Sequence, residues 1–224
     1  MTETARTPIL ARPLAVLLFA ALALPLLGGV AAAQWYAPYQ LRETTGNARL
    51  DQLIIRELRQ LKRIFRVNPG FYVYNDHGRP NAAATLKRVR RNSDGTVLFG
   101  RTLLVKELYR GRYANIAVAG IMAHEFAHIV QLRRGAGRNR ILYLELHADC
   151  MAGWYLERSR KGRLNIQPFA RSLYEKGDFH YWSRSHHGTP RQRIRAMIAG
   201  YKAGELNLSQ TYQYCTTVAT RVRD

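Results

Sequence analysis

The sequence predicts a compact α+β domain, in which one helix and a small β-sheet precede three further helices. Three observations predict this class. Apolar residues recur at helical spacing in residues 47–67, and short runs of β-forming residues follow in residues 71–108. Long apolar helical stretches then dominate the second half of the chain. Strands grouped ahead of helices are typical of the α+β class, and 224 residues suffice for one domain and a targeting segment.

Residues 1–33 are typical of a secretory signal peptide. Arg6 and Arg12 form a positive start, an apolar run follows, and three consecutive alanines supply the small residues of a cleavage site. We therefore predict cleavage before Gln34 and export of residues 34–224 to the periplasm or the exterior. The alternative is an uncleaved segment that anchors the protein in the membrane, because about 20 apolar residues can span a bilayer.

The first half of the exported domain predicts one helix and a small sheet. Five apolar residues recur at helical spacing, with basic residues opposite: Leu50, Ile54, Leu58, Leu61 and Phe65. A turn at residues 68–70 ends this helix, and the β-forming run Phe71–Asp76 follows as a strand. The stretch DGTVLFGRTLLVKEL predicts one or two further strands, opened by the Asp94-Gly95 turn.

The second half predicts three helices. The stretch YANIAVAGIMAHEFAHIVQLRR is apolar on most sides, and Gly135 is its expected C-cap. The stretch RILYLELHADCMAGWYLERSRKG predicts a second largely buried helix that ends at Gly162. A third helix begins in GTPRQRIRAMIAGY. There Thr189 is the expected N-cap, Pro190 takes the first helical position and Gln192 completes a capping box.

The chain is strongly basic, with a net charge of +20 that falls only to +19 after the predicted cleavage. A domain of this charge attracts polyanions. An exported chain meets anionic envelope polymers and membrane surfaces, so we predict these as partners besides a protein or peptide substrate. No RNA-binding motif or DNA-recognition helix is recognisable, and we therefore expect no nucleic-acid partner.

The two cysteines are Cys150 and Cys215. In an oxidising compartment such a pair can form one disulfide. It would join the C-terminal tail to the helix that contains ELHAD. The alternative is a pair of buried thiols, because free cysteine packs as a small hydrophobic residue.

The stretch GIMAHEFAHIVQ carries the main functional motif, HExxH. His124 and His128 are four residues apart, so a helix that turns about 100° per residue places both on one face. Two neutral imidazoles there can bind one zinc ion, and Glu125 can reach a water held on that ion. The structural alternative is a buried helix whose histidines are satisfied by hydrogen bonds, but the complete motif favours zinc.

A catalytic zinc site needs a third protein ligand and an open position for water. The downstream candidates are Glu145, His147, Asp149, His180, His186 and His187. Glu145 and Asp149 lie four apart on one helix face, whereas His147 points about 200° away from Glu145 and cannot join the same cluster. Buried carboxylates are unfavourable unless paired or metal-bound. One of the two is therefore expected to bind zinc and the other to orient a ligand.

Three stretches together resemble the bacterial neutral zinc metallopeptidases, which are gluzincins: AHEFAHIVQ, LELHADCMAGWY and HHGTPRQRIRAMIAGY. The order HExxH, ExxxD and a histidine-containing turn is more distantly similar to the CAAX prenyl proteases and the heat-shock membrane endopeptidases. The stretch PNAAA at residues 80–84 is also similar to a motif of that group. The similarity covers roughly residues 80–202, and three motifs in order are far more specific than HExxH alone. It implies a single-domain zincin in which a small sheet packs on the HExxH helix.

The resemblance also implies roles for individual residues. Glu145 would be the third zinc ligand, and Asp149 would orient a ligand from outside the coordination sphere. His187, or its neighbour His186, would donate a hydrogen bond to the oxyanion formed during hydrolysis, and we choose His187. Arg193 is expected to pair with Asp149 and to hold the histidine turn against the HExxH helix.

These residues predict an exported zinc metalloendopeptidase. Glu125 would take the proton of the zinc-bound water, and the resulting hydroxide would attack a peptide carbonyl polarised by the ion. An extended substrate would pair with an edge strand of the sheet, which the sequence does not identify. The alternative is an exported zinc-binding or polyanion-binding scaffold that cleaves nothing, although such a protein has no need of Glu125.

Overall fold

The computed structural model describes residues 41–109, 111, 113–161, 165–176 and 187–222. Within these ranges the helices and strands are α1 Ala48–Phe65, β1 Gly70–Tyr74, β2 Ala82–Thr85, β3 Thr96–Gly100, α2 Arg101–Leu108, α3 Ala114–Arg133, α4 Ile141–Arg158, α5 Gln167–Lys176, α6 Pro190–Lys202 and α7 Leu208–Arg221. A small sheet with helices around it confirms the α+β class. The predicted signal segment lies outside the described residues. Among the helices that are described, none combines the length and the apolar character needed to cross a membrane.

Helix α1 and strand β1 form where the sequence predicts them. The side chain of Asn47 caps α1 by accepting a hydrogen bond of 3.1 Å from the backbone N–H of Leu50. At the other end of α1, the ring of Phe65 lies edge-on to that of Trp154 in α4, with centroids 5.8 Å apart. This contact joins the first helix to the core of the domain.

The three strands form a mixed sheet in the order β1-β3-β2, with β1 parallel and β2 antiparallel to β3. On the outer side of β1, Arg42 and Val73 exchange two backbone hydrogen bonds of 2.9 and 2.7 Å. On the other side of the sheet, β2 is the end strand and packs on α3. The sheet therefore packs on the HExxH helix, as predicted, and β2 is the edge strand nearest to it.

Of the one or two strands predicted in residues 94–108, only β3 forms, and the stretch after it is helix α2. The carboxylate of Asp76 accepts hydrogen bonds from the backbone N–H groups of Thr102 at 3.0 Å and Leu103 at 3.1 Å. These contacts satisfy the first N–H groups of α2, as a helix cap does. Because Asp76 comes from the turn after β1, the local pattern of the stretch did not reveal the cap.

Three described elements, β2, α5 and α7, were not predicted. Strand β2 is rich in alanine, which has little intrinsic preference for strands, and it forms by pairing Ala82–Thr85 with β3. Helix α4 ends at Arg158, earlier than the predicted Gly162. The chain cannot continue as a helix there, because Arg160 has a left-handed φ of 59°.

Helix α3 is buried over nearly its whole length, between the sheet, α1, α2, α4 and α5. A helix that is apolar on all sides is expected in such a position. The C-cap is Arg134, and Gly135, which the sequence suggested for that position, is the next residue, with a left-handed φ of 77°. Polar side chains that are buried in α3 need hydrogen-bond or metal partners, because burying an unpaired polar group is unfavourable.

Helices α4 and α6 pack with their backbones in contact, at a glycine in each helix. A Cβ atom placed on Gly200 would lie 1.7 Å from the backbone oxygen of Cys150. One placed on Gly153 would lie 2.0 Å from the backbone oxygen of Met197. The neighbours are backbone atoms, so they cannot move aside as a flexible side chain can.

We expect Gly200→Ala to destabilise the protein by about 3 kcal/mol, the upper part of the range for overpacking. Alanine favours helices over glycine by about 1 kcal/mol, but the clash with α4 outweighs this gain. Urea unfolding monitored by circular dichroism measures the change. Arg191→Ala, at an exposed position of the same helix, is the control and should change stability by no more than about 0.5 kcal/mol. A Gly200→Ala protein as stable as wild type would contradict the close crossing.

Cys150 and Cys215 form a disulfide that joins α4 to α7. This confirms the first of the two alternatives for the cysteines. The bond closes a loop between residues that are 65 positions apart, and such cross-links typically stabilise a protein by about 2–4 kcal/mol. The C-terminal helix is thereby held against the helix that carries Glu145 and Asp149.

Candidate metal centre

Three buried side chains from two helices converge on one point. His124 and His128 lie one turn apart on α3, and their Nε2 atoms are 3.0 Å from each other. Glu145 comes from α4, with one carboxylate oxygen 3.4 Å from Nε2 of His124 and the other 3.5 Å from Nε2 of His128. All three residues are buried.

These distances fit a shared metal ion. Tetrahedral coordination with bonds of about 2.0–2.1 Å separates neighbouring ligand atoms by about 3.3 Å, and each histidine Nε2 lies at about this distance from one or the other oxygen of Glu145. One ligand atom from each residue lies within 4.8 Å of the others. Among the described residues, His124, His128 and Glu145 could therefore hold a metal ion, as the sequence predicted.

Asp149, which lies on the same helix as Glu145, forms a hydrogen bond with Nδ1 of His124, the ring nitrogen that points away from the metal position. Nδ1 of His124 donates to a carboxylate oxygen of Asp149 over 2.9 Å, so Nε2 is the ring nitrogen that faces the metal position. Burial alone would lower the pKa of His124, but the hydrogen bonds and negative charges of Asp149 and Glu145 outweigh it and raise the pKa to about 10. The cluster thus attracts positive charge, as a cation site must.

Arg193 of α6 offsets the negative charges of two carboxylates, those of Asp149 and Glu145. Its guanidinium donates two hydrogen bonds to Asp149, at 2.7 and 2.9 Å, and lies 3.3 Å from Glu145. Burial would raise the pKa of Asp149, but the charge of Arg193 and the contact with His124 lower it, so the carboxylate stays ionised. The predicted pair of Arg193 and Asp149 is present.

The start of α6 places Arg193. Thr189 accepts a hydrogen bond of 3.1 Å from the backbone N–H of Gln192, and the Gln192 side chain accepts one of 3.0 Å from the N–H of Thr189. Pro190 occupies the first helical position. This is the predicted capping box, and it fixes where α6 begins and which of its residues turn toward α4.

The outer nitrogen of His128 is held by Gln131, a residue that the sequence did not single out. Nδ1 of His128 lies 2.7 Å from Oε1 of Gln131. The amide nitrogen of Gln131 contacts the backbone oxygen of Leu144 at 2.8 Å and Nδ1 of His147 at 3.0 Å. Gln131 follows His128 by three residues, so the helical spacing of α3 offered a signal that could have identified it.

His147 lies outside the ligand cluster, as its position on the helix predicted. It is fully buried, and its Nε2 lies 3.1 Å from the backbone oxygen of Tyr212 in α7. Burial lowers the pKa of His147 to about 4, so its ring is neutral at physiological pH. Its place beside Gln131 gives it an indirect contact with the metal ligands.

Glu125 lies beside the ligand cluster and lines the same cavity as all three ligands. Its side chain is buried, and burial raises its pKa above the ordinary carboxyl value. A carboxylate with a raised pKa accepts and releases protons more readily near neutral pH. This position and environment are those required of a general base.

The cavity has a volume of about 270 Å³. Besides the three candidate ligands and Glu125, its lining includes the stretch Pro80–Ala83, which contains the first residues of β2. Four apolar residues also line the cavity: Leu103, Ile121, Phe169 and Leu173. An elongated molecule could therefore lie along the sheet edge with one side chain against these apolar residues.

His187 also lines this cavity. Its side chain is about one third exposed, and its Nδ1 is 3.5 Å from a carboxylate oxygen of Glu145. Burial would raise the pKa of Glu145, but its close contacts with His124, His128 and His187 hold the pKa well below the usual value. His186 and His180 lie outside the described residues.

No protein-family model, curated protein or solved structure matches the chain. Its function is therefore inferred from its own motifs and geometry.

Proposed function

We propose that the protein is an exported zinc metalloendopeptidase of the gluzincin type. The observation that carries the proposal is the convergence of His124, His128 and Glu145 on one point, with Glu125 lining the same cavity. Two imidazoles and one carboxylate are a ligand set of catalytic zinc sites, which keep one position open. The resemblance of the three motifs to the neutral zinc metallopeptidases supports the same family.

Zinc bound by these ligands would act as a Lewis acid toward a peptide carbonyl and would acidify a bound water. Glu125 takes a proton from the attacking water and returns it to the leaving amine. The Asp149 carboxylate keeps the proton of His124 on Nδ1, so that Nε2 remains free to bind the ion. Arg193 keeps the neighbouring carboxylates ionised.

His187 is proposed to stabilise the negative oxygen that develops on the substrate carbonyl. Its side chain lines the cavity, lies 3.5 Å from Glu145 and is about one third exposed, so a bound peptide could reach it. An oriented donor at such a position lowers the barrier because negative charge appears there only in the transition state. Arg193 is buried and already bonded to Asp149, so His187 is the better candidate.

The substrate is proposed to bind as an extended strand along β2. This strand is the end strand of the sheet, and its first residues, Ala82 and Ala83, line the cavity. Pairing with an edge strand supplies backbone hydrogen bonds that do not depend on the substrate sequence. The apolar residues of the cavity would then favour an apolar side chain next to the cleaved bond.

The targeting segment supports a periplasmic or secreted location, with attachment to the membrane as the alternative. The high positive charge of the exported domain favours acidic proteins or anionic envelope surfaces as partners. A second candidate function is a metal-binding scaffold that cleaves nothing. The buried Glu125 beside the ligands favours catalysis, because a scaffold gains nothing from it.

Metal content and cleavage together test the proposal. We expect one zinc per chain by mass spectrometry of the purified protein, and cleavage of an unfolded protein substrate that stops after chelation. About one equivalent of zinc should restore cleavage, whereas magnesium should not. Zinc binding without cleavage would favour the scaffold, and a chain that binds no zinc would exclude both functions.

A further inference from the structure

A buried chain of hydrogen bonds runs from the candidate metal ligand His128 to the C-terminal helix. Its links are His128 Nδ1 to Gln131 Oε1 at 2.7 Å, Gln131 Nε2 to His147 Nδ1 at 3.0 Å, and His147 Nε2 to the backbone oxygen of Tyr212 at 3.1 Å. A side branch joins Gln131 Nε2 to the backbone oxygen of Leu144 at 2.8 Å. The three side chains are all at most 3% exposed.

Two backbone oxygens set the direction of every bond in this chain, because a carbonyl oxygen only accepts. The Tyr212 oxygen requires a proton on Nε2 of His147. The amide nitrogen of Gln131 can only donate, so Nδ1 of His147 accepts from it. The Leu144 oxygen can only accept a hydrogen bond, so the Gln131 side chain must be oriented with its amide nitrogen toward Leu144. Oε1 of Gln131 therefore faces His128 and requires the proton of His128 on Nδ1.

We propose that Gln131 and His147 are positioning residues, which hold His128 in the tautomer whose Nε2 lone pair faces the metal. The proposal rests on the metal site of the proposed function but not on peptide hydrolysis. Without the acceptor Gln131, His128 could carry its proton on Nε2, where it would block coordination. Partners of this kind fix the orientation of a metal-bound imidazole and raise its basicity.

The chain also links the metal site to α7. Tyr212 lies one helical turn before Cys215, whose disulfide to Cys150 holds α7 against α4. The guanidinium of Arg134, next to the end of α3, lies 4.1 Å from the centre of the Tyr212 ring. The contact with Arg134 and the disulfide to α4 thus both fix the part of α7 whose Tyr212 carbonyl orients His147.

Zinc affinity measured by competition with a chelator tests the proposal. Gln131→Met keeps the size of the side chain but removes the acceptor for His128, and we expect it to weaken zinc binding about 10–100-fold. His147→Leu should weaken it less, though by more than about twofold, because the Leu144 carbonyl still orients Gln131. Since His147 acts through Gln131, the double variant should bind zinc as Gln131→Met does, within about twofold. The control is Thr211→Val, which removes a buried hydroxyl bonded to Asn207 in the same region of α7 and should leave the affinity unchanged.

Wild-type affinity in Gln131→Met would overturn the role of Gln131, and wild-type affinity in His147→Leu would overturn that of His147. Losses that multiply in the double variant would also overturn the coupling, because they would indicate two independent structural effects. Wild-type protein that binds zinc without cleaving peptides would remove the protease proposal and leave this one standing. Wild-type protein that binds no zinc would remove both.

A measurement on the unaltered protein keeps the proposal testable if Gln131→Met does not fold. Nitrogen NMR of the imidazole rings distinguishes the two neutral tautomers. With zinc bound, we expect the proton of His128 on Nδ1 and that of His147 on Nε2. A His147 ring protonated on Nδ1 instead would overturn the direction of the whole chain.

Discussion

Glu125→Gln is expected to reduce peptide hydrolysis about 10²–10⁴-fold, the contribution typical of a general base, while zinc stays bound. Glutamine has nearly the same shape as glutamate, but its amide cannot take a proton from water. Glu125 does not belong to the three residues whose ligand atoms converge, so the metal position should not change. Burial raises the pKa of Glu125, which suits a group that must both accept and release a proton.

The measurement is kcat/KM on an unfolded protein or peptide substrate, together with zinc content per chain. Glu57→Gln is the matched control, because Glu57 lies in α1 and contacts Lys161 at 3.1 Å rather than the metal cluster. The control should retain both zinc and activity. Undiminished cleavage by Glu125→Gln would remove Glu125 from the mechanism, and loss of zinc together with activity would indicate a ligand instead of a base.

Glu145→Gln is expected to abolish stable zinc binding. The substitution removes the only carboxylate among the three converging residues and leaves His124 and His128 with a neutral neighbour. The loss of affinity should exceed the roughly 10–100-fold effect of removing an outer hydrogen-bond partner. Because metal binding contributes directly to the free energy of the folded state, the variant should also lose its stabilisation by zinc.

Thermal unfolding with and without added zinc measures this effect. A ligand at 1,000 times its Kd stabilises the folded state by about 4.1 kcal/mol, so zinc should raise the Tm of the wild type but not that of Glu145→Gln. The Glu57→Gln protein should respond to zinc as the wild type does. An unchanged response of Glu145→Gln would exclude Glu145 as a ligand and with it the gluzincin-type site.

The candidate metal-binding residues could be predicted because the residues that each helix contributes are four positions apart. A separation of four residues places His124 and His128 on one face of α3, and likewise Glu145 and Asp149 on α4. The capping box before α6 is equally local, and it forms as predicted. Which of the two carboxylates would meet the histidines was an expectation from the proposed family resemblance, and the structure places Glu145 next to both.

Other features depended on residues far apart in the chain. The cap that makes α2 a helix comes from Asp76, more than twenty positions earlier. Strand β2 forms from weak strand formers because β3 pairs with it. The chain from His128 to Tyr212 joins three helices, and no spacing within one helix could show that His147 would contact Gln131.

By itself, the sequence determined which side chains share a face of each helix, since the period of a helix is a local property of the backbone. It thereby specified the two histidines, the neighbouring glutamate and the pair of carboxylates. Only the tertiary structure decided how close the helices approach, through the contacts of Gly153 and Gly200 and the disulfide between α4 and α7. Distances between helices come from packing of side chains that are remote in sequence, and these distances decide whether three ligands can share one ion.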